Sequence, residues 1–182
     1  MGTRHLVCVV NEGKYEVSEY GRNDGFPKSA GLEILDFLKD DFIKEKMIDG
    51  LANISFSDKP TNNGFVGRGV LDFVQNNTEP ATIEEYLAYA TNPSMCFPCE
   101  WAYVLDLDND TFEVYKGGNK KPLADTERFA IVAKMEGYEW GTEKTRGPYG
   151  DITYQPVKLA ASWYFSKLPT EDEFLKKFPD ND

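Results

Sequence analysis

Residues 5–27 read HLVCVVNEGKYEVSEYGRNDGFP, and this stretch decides the fold class. Residues 6–10 form a short apolar run rich in β-branched side chains, which is typical of a strand. Residues 11–13, Asn-Glu-Gly, supply a turn with glycine where a positive φ is needed. Strand-like positions continue to Tyr20, after which two glycines and Pro27 break the strand. The chain is therefore predicted to begin with a β-hairpin.

Further strands are predicted from apolar runs later in the chain. Residues 101–107 and 111–115 flank the turn Asp-Asn-Asp at 108–110 and predict a second hairpin. The apolar segments 129–135 and 157–165 predict two more strands. Hairpins of this kind favour a largely antiparallel sheet.

Helices are predicted from spacing and from capping signals. Apolar residues recur at helical spacing over residues 32–51, while the apolar run 70–74 fits either type. Residues 82–85 and 170–173 have the capping-box pattern, so each is predicted to begin a helix. We predict one α+β domain over residues 1–182, with a polar tail at its end (179–182) and three or four helices packed on the sheet.

Composition narrows the classes of function. Of the 182 residues, 41% are hydrophobic, which is enough to build a core. The 31 acidic residues exceed the 20 basic ones and give a net charge of −11, so direct nucleic-acid binding is not expected. No apolar run is long enough to suggest a membrane span, and three cysteines without a leader suggest a reducing compartment. We predict a cytoplasmic protein.

Three patterns offer cofactor or metal chemistry, and each has a simpler interpretation. Cys96 and Cys99 have the spacing of a thioredoxin-type redox pair, but the predicted order of helix and strand around them is reversed. Together with His5 and Cys8 they are the alternative zinc ligands, although a strand would direct His5 and Cys8 to opposite faces. The acids at 106–110 resemble the start of a calcium loop, and a hairpin turn explains them better. We predict no metal and no cofactor.

One polar cluster remains as a candidate ligand site. The sequence has no nucleophile, phosphate-loop or dinucleotide motif. The start of the first strand and the end of the second are neighbours in a hairpin, so Arg4 is expected to meet Asp24 at one rim of the sheet. The alternative interpretation is a structural ion pair that fixes the loop. The candidate site residues are Thr3, Arg4, Tyr20, Arg22 and Asp24, with Asn23 and Gly25 beside them.

The same residues carry a family resemblance. The opening Gly2-Thr3-Arg4 and the segment at 20–27 resemble a group of small uncharacterised proteins from phages, bacteria and some fungi. Those proteins begin with a Gly/Ser-Thr-Arg run and carry a Tyr-x-x-Trp-Asp-Gly-Tyr-Pro segment, whereas this chain has Asn23 for the Trp and Phe26 for the Tyr. The hairpin at 100–108 is also similar. The resemblance implies no known activity.

Two hypotheses for function follow, and the sequence does not decide whether the protein is an enzyme. The first is an accessory or interaction protein, linked to phages by the resemblance, whose acidic surface engages a basic protein partner. The second is a small-molecule-binding protein or hydrolase with its site at the rim formed by Arg4 and residues 20–27.

Overall fold

The computed structural model describes residues 2–61, 65–92, 98–137, 145–147, 150–152 and 155–179. Its centre is a five-stranded sheet in the order β2-β1-β5-β6-β9. These strands are β1 (His5–Asn11), β2 (Lys14–Gly21), β5 (Trp101–Asp106), β6 (Thr111–Lys116) and β9 (Lys158–Tyr164). Two small sheets accompany it, one of β3 (Ile54–Phe56) with β4 (Ala81–Ile83) and one of β7 (Thr145–Gly147) with β8 (Gly150–Ile152).

The sheet confirms both predicted hairpins. β1 pairs with β2 and β5 with β6, each antiparallel, and β9 adds antiparallel to β6. The two hairpins meet through β1 and β5, which run parallel and place His5 opposite Trp101. The sheet is thus mostly antiparallel, with one parallel pair near its middle.

Helices cover both faces of the sheet, which confirms the α+β class. The described residues contain six α-helices rather than three or four, several of them very short: α1 (Leu32–Asp36), α2 (Lys44–Leu51), α3 (Arg68–Asn76), α4 (Ala88–Thr91), α5 (Arg128–Met135) and α6 (Glu171–Lys177). π-Helical turns at Pro27–Gly31 and Phe37–Asp41 extend α1 at both ends. None of the described helices combines the length and the apolar character needed to cross a membrane.

Alternation along the strands produces two cores. Val7 and Val9 face the first core, with Tyr103 on β5 and the helices that follow the first hairpin. Leu6 and Cys8 face the opposite way, into a second core closed by α4 and α5. Both faces of β1 are therefore buried, which explains why its sequence is continuously apolar rather than alternating.

The predicted helix at residue 82 is wrong at its start. Residues 81–83 form β4, which pairs in parallel with β3, and the helix α4 begins only at Ala88. The reason is a contact distant in sequence: Thr82 and Thr61 exchange backbone-to-side-chain hydrogen bonds of 2.8 and 2.9 Å. The local capping pattern does not start a helix here because tertiary contacts override a weak local preference for helix.

The predicted strand at 129–135 is also wrong, because these residues form α5. The aromatic and β-branched residues of this segment resemble a strand, but Phe129 and Ala133 lie one helical turn apart and are both buried, and Phe129 belongs to the second core. The strand predicted at 157–165 is confirmed as β9, and the undecided run at 70–74 lies within α3.

Two turn and cap predictions are confirmed in atomic detail. Thr170 and Glu173 at the start of α6 exchange the two hydrogen bonds of a capping box. Asp106 at the second hairpin turn accepts hydrogen bonds from the amides of Asp108 and Asn109, so its carboxylate organises the turn. The predicted polar tail falls almost wholly outside the described residues.

Candidate ligand-binding site

His5 is the first residue of β1 and lies where the two hairpins meet. Its register partners are Gly21 on β2 and Trp101 on β5. Strand alternation places its side chain on the face of Val7, toward the first core. Only 2% of His5 is exposed, although it sits at the end of a strand.

Glycines allow the surrounding backbone to close on the imidazole. A Cβ atom on Gly21 would overlap the ring at Cε1, and one on Gly25 would lie 2.7 Å from the Cβ of His5. The ring of Tyr103 lies edge-on at 6.4 Å between centroids, and its hydroxyl donates to the Gly25 carbonyl at 2.8 Å. That bond fixes the loop over the imidazole, so the site depends on glycine at both positions.

Both ring nitrogens of His5 are buried, and neither has a hydrogen-bond partner among the described residues. Burial lowers the pKa of His5 from 6.5 to about 4. The Thr3 backbone, which approaches the ring without reaching hydrogen-bond geometry, and the Asp24 carboxylate oppose part of that change. The imidazole is therefore neutral near pH 7 and offers one donor and one acceptor. An unsatisfied buried polar group of this kind costs about 1–3 kcal/mol and requires an explanation.

The beginning of α3 lies against the same imidazole. A Cβ atom placed on Gly67 would lie 3.6 Å from Nε2 of His5 and, among the described residues other than its two chain neighbours, would meet no further side chain within 4 Å. Gly67 has φ 58° and ψ −132°, a combination that only glycine adopts readily. Nε2, which is itself buried, therefore lies beside the residue that precedes α3.

Glu19 lies on the same face of the sheet as His5. It is the register partner of Val7, so it is a diagonal neighbour of His5 across the β1–β2 pair. Burial raises the pKa of Glu19 to about 7, and the negative charge of Glu84 adds to this effect. Two groups that titrate far from their usual range therefore share one end of the first core.

The predicted rim residues are only partly brought together. Thr3 is buried, and its carbonyl accepts from the amide of Gly25 at 3.0 Å, which holds the loop against β1. Asp24 has a positive φ of 55° and lies close enough to His5 to affect its pKa. Tyr20 points to the opposite face, where its ring stacks on Tyr89 at 4.1 Å, and Arg22 is exposed.

Arg4 has a different ionic partner from the one expected. Its Nε atom lies 3.4 Å from a carboxylate oxygen of Glu100, and its backbone amide donates to the same carboxylate at 2.9 Å. This pair connects the residue before β1 to the residue before β5. The ion pair at the rim thus joins the two hairpins.

The alternative zinc ligands are divided between the two faces of the sheet. His5 faces the first core, whereas Cys8 and Cys99 are buried in the second. Burial raises the pKa of both thiols, to about 12 for Cys99, so neither is a thiolate. Cys96 lies outside the described residues, and the described part of the chain holds no cluster of three potential ligands.

A second polar cluster lies on the other face of the sheet, and its charged groups form ion pairs with one another. Arg128 of α5 pairs with Asp106 and Glu113, and its Nε also lies 3.1 Å from the Tyr115 hydroxyl. These groups line a groove of about 520 Å³. Because its charges are already paired, this cluster gives less reason than His5 to expect a ligand.

Sequence reasoning treated His5 only as an alternative zinc ligand and missed its surroundings. Gly67 lies 62 positions after His5 in the sequence, and no local sequence pattern indicates that α3 begins beside β1. A scan against protein-family models finds no match, and searches of curated proteins and of solved structures find no protein significantly similar to this chain.

Proposed function

We propose that this protein binds a small molecule at the end of the sheet where His5, the Asp24–Gly25 loop and the start of α3 meet. One observation carries the proposal: His5 is almost fully buried, yet neither ring nitrogen has a partner among the described residues. A ligand that accepts from one nitrogen or donates to the other removes the cost of leaving them unpaired.

The surroundings of the imidazole support binding over a hydrolase mechanism. A nucleophile activated by histidine must lie within hydrogen-bond distance of a ring nitrogen. No hydroxyl or thiol of the described residues does so. Neutral His5 and the nearby Glu19 remain suited to hydrogen bonding with a ligand, because both can act as donor and as acceptor near pH 7.

The test uses the fact that His5 is the only histidine of the chain. Its imidazole gives a single set of nitrogen signals in an NMR spectrum of ¹⁵N-labelled protein, so a panel of anionic, cationic and neutral fragments can be screened on that signal. We expect some fragments to shift the imidazole signals in a saturable way.

The matched variant is His5→Leu, which has a similar volume and no polar atom. Each fragment that shifts the imidazole signals should lose affinity for His5→Leu by tenfold or more, as measured by ligand-observed NMR. A panel in which no fragment moves the signals overturns the proposal. So does equal binding by His5→Leu.

The acidic-surface hypothesis remains a second proposal, supported by the net charge of −11. It concerns an accessory protein with a basic protein partner, and the phage link rests on the family resemblance alone. The two proposals use different parts of the molecule and are tested separately.

A further inference from the structure

We propose that the ligand at His5 presents an anionic oxygen group, a phosphate or a carboxylate, to the N-terminus of α3. This inference rests on the proposed function and names the chemistry of its ligand. The first-turn amides of α3 and Nε2 of His5 would bind the same group from two sides.

The first support is that the N-cap residue of α3 provides no side-chain hydrogen bond to the helix. The helix runs over nine residues, Arg68–Asn76, and follows Gly67, which has no side chain to cap it. The amide of Gly69 donates to the Val66 carbonyl at 3.0 Å. No side chain of the described residues accepts from the other first-turn amides, so they are available to an anion together with the positive end of the helix dipole.

The second support is independent and comes from β1. His5 is 2% exposed, and its Nε2 atom lies 3.6 Å from the position that a Cβ on Gly67 would take. The unpartnered nitrogen thus lies beside the residue that precedes the helix. An imidazole that stays neutral can donate one hydrogen bond to an anionic oxygen without needing a proton from solvent.

The charges around the site decide between an anion and a neutral group. The negative charge of Asp24 opposes anion binding. Among the influences on the pKa of His5, which are burial, the Thr3 backbone and the Asp24 charge, that of Asp24 is the smallest. The Glu19 carboxyl is partly protonated near pH 7 because burial raises its pKa to about 7. Amide donors of the first turn would contact a bound anion directly, whereas Asp24 acts on His5 only through its charge.

The experiment titrates inorganic phosphate and, separately, acetate into the full chain at pH 7.5 and constant ionic strength, with chloride as the control ion. The readouts are the imidazole nitrogen signals of His5 and the backbone amide signals of Arg68 to Val70. We expect one or both anions to shift the two sets together, with a single dissociation constant, and chloride to leave them unchanged.

The decisive variant is Gly69→Asp, with Gly69→Asn as its neutral match. A Cβ at this position meets only Phe65 side-chain atoms, at 3.6 Å or more, so both side chains fit. An acid in the first turn stabilises the helix, so Gly69→Asp should melt no lower than the wild type. We expect it to weaken anion binding at least tenfold and Gly69→Asn to change it less than threefold.

The outcomes separate the two proposals. Tighter binding of phosphate indicates a phosphate-bearing ligand, and tighter binding of acetate a carboxylate. If neither anion moves the His5 and α3 signals, or if Gly69→Asp binds as well as Gly69→Asn, the anion inference is overturned. In that case, neutral fragments that still shift the His5 signals leave the proposed function standing.

Discussion

His5 shows how a single side chain links stability to pH. Its pKa is about 4 in the folded protein and 6.5 in the unfolded reference. Between these values the folded state binds fewer protons than the unfolded state, so this residue makes stability rise as pH rises from 4 to 6.5. An NMR titration of the imidazole should therefore give a midpoint near 4. A midpoint at or above 6 contradicts the described burial.

Replacing His5 by leucine should stabilise the protein. The substitution removes two buried nitrogens without hydrogen bonds, and we expect the free energy of unfolding at pH 7 to increase by about 1–2 kcal/mol. The gain should be larger at pH 4.5, where the histidine is almost fully protonated in the unfolded state but mostly neutral in the folded state. Urea denaturation of both proteins at the two pH values measures it. A loss of stability at pH 7 would show that the ring has partners in the free protein.

Glu19 has the opposite effect on the pH dependence of stability. Its pKa is about 7 in the folded state, against 4.5 for an unperturbed glutamate. The folded state binds more protons in this window, so the residue makes stability fall as pH rises from 4.5 to 7. Glu19→Gln should increase the free energy of unfolding at pH 8 by at most about 3 kcal/mol and have little effect at pH 4. Denaturation curves of both proteins at the two pH values measure this difference, and an effect of equal size at pH 4 and pH 8 would contradict the raised pKa of Glu19.

At the scale of elements, Arg128 holds α5 against the sheet. Its side chain is 18% exposed, and those of its partners Asp106 and Glu113 are 2% and 12% exposed. Arg128→Met keeps the aliphatic length but leaves two buried carboxylates without a counter-charge, which should cost about 3–5 kcal/mol in chemical denaturation.

The same helix provides the control. Lys134 pairs with Asp125, and both side chains are mostly exposed, at 62% and 82%. Lys134→Met should change stability by less than about 1 kcal/mol. Equal effects of the two substitutions would mean that the Arg128 cluster contributes no more than an exposed ion pair.

The capping box of α6 gives a smaller prediction. Thr170→Ala removes the hydroxyl that accepts from the amide of Glu173 at 3.2 Å. We expect a loss of about 1 kcal/mol in thermal or chemical denaturation, with Thr170→Ser restoring most of it. An unchanged midpoint for Thr170→Ala would mean that packing of Phe174 alone holds this helix.

The elements that the sequence predicted well are those fixed by nearby residues. The β1–β2 hairpin, the Asp106 turn and the Thr170 cap each depend on contacts within a few positions. Errors arose where a distant partner decides: Thr82 pairs with Thr61, and α5 exists because its apolar residues meet the second core. A single sequence holds no signal for such partners.

The candidate site follows the same rule. Hairpin geometry correctly placed the start of β1 beside the Asp24 loop, and Thr3 and Asp24 do lie next to His5. It could not show that Arg4 pairs with Glu100 or that Gly67 faces the imidazole, because both contacts cross from one part of the chain to another.

For the whole molecule, the net charge of −11 leads to a test of the acidic-surface proposal. Exposed charges are screened beyond about 10 Å at 0.1 M salt, so binding to a basic partner should weaken steeply with ionic strength. Polylysine at 10 mM and at 300 mM salt is a suitable probe, measured by fluorescence anisotropy. Absence of binding at the lower salt concentration contradicts the proposal.

The parallel pairing of β1 with β5 also determines the order in which the molecule can fold. Residues that pair there, such as His5 and Trp101, are 96 positions apart, whereas each hairpin closes over a short turn. Hairpins form in microseconds, but the central pair must wait for a long loop to close. The proposed ligand site spans that junction, so it forms only once the central pair has formed, and a molecule that binds there selects chains in which both hairpins have met.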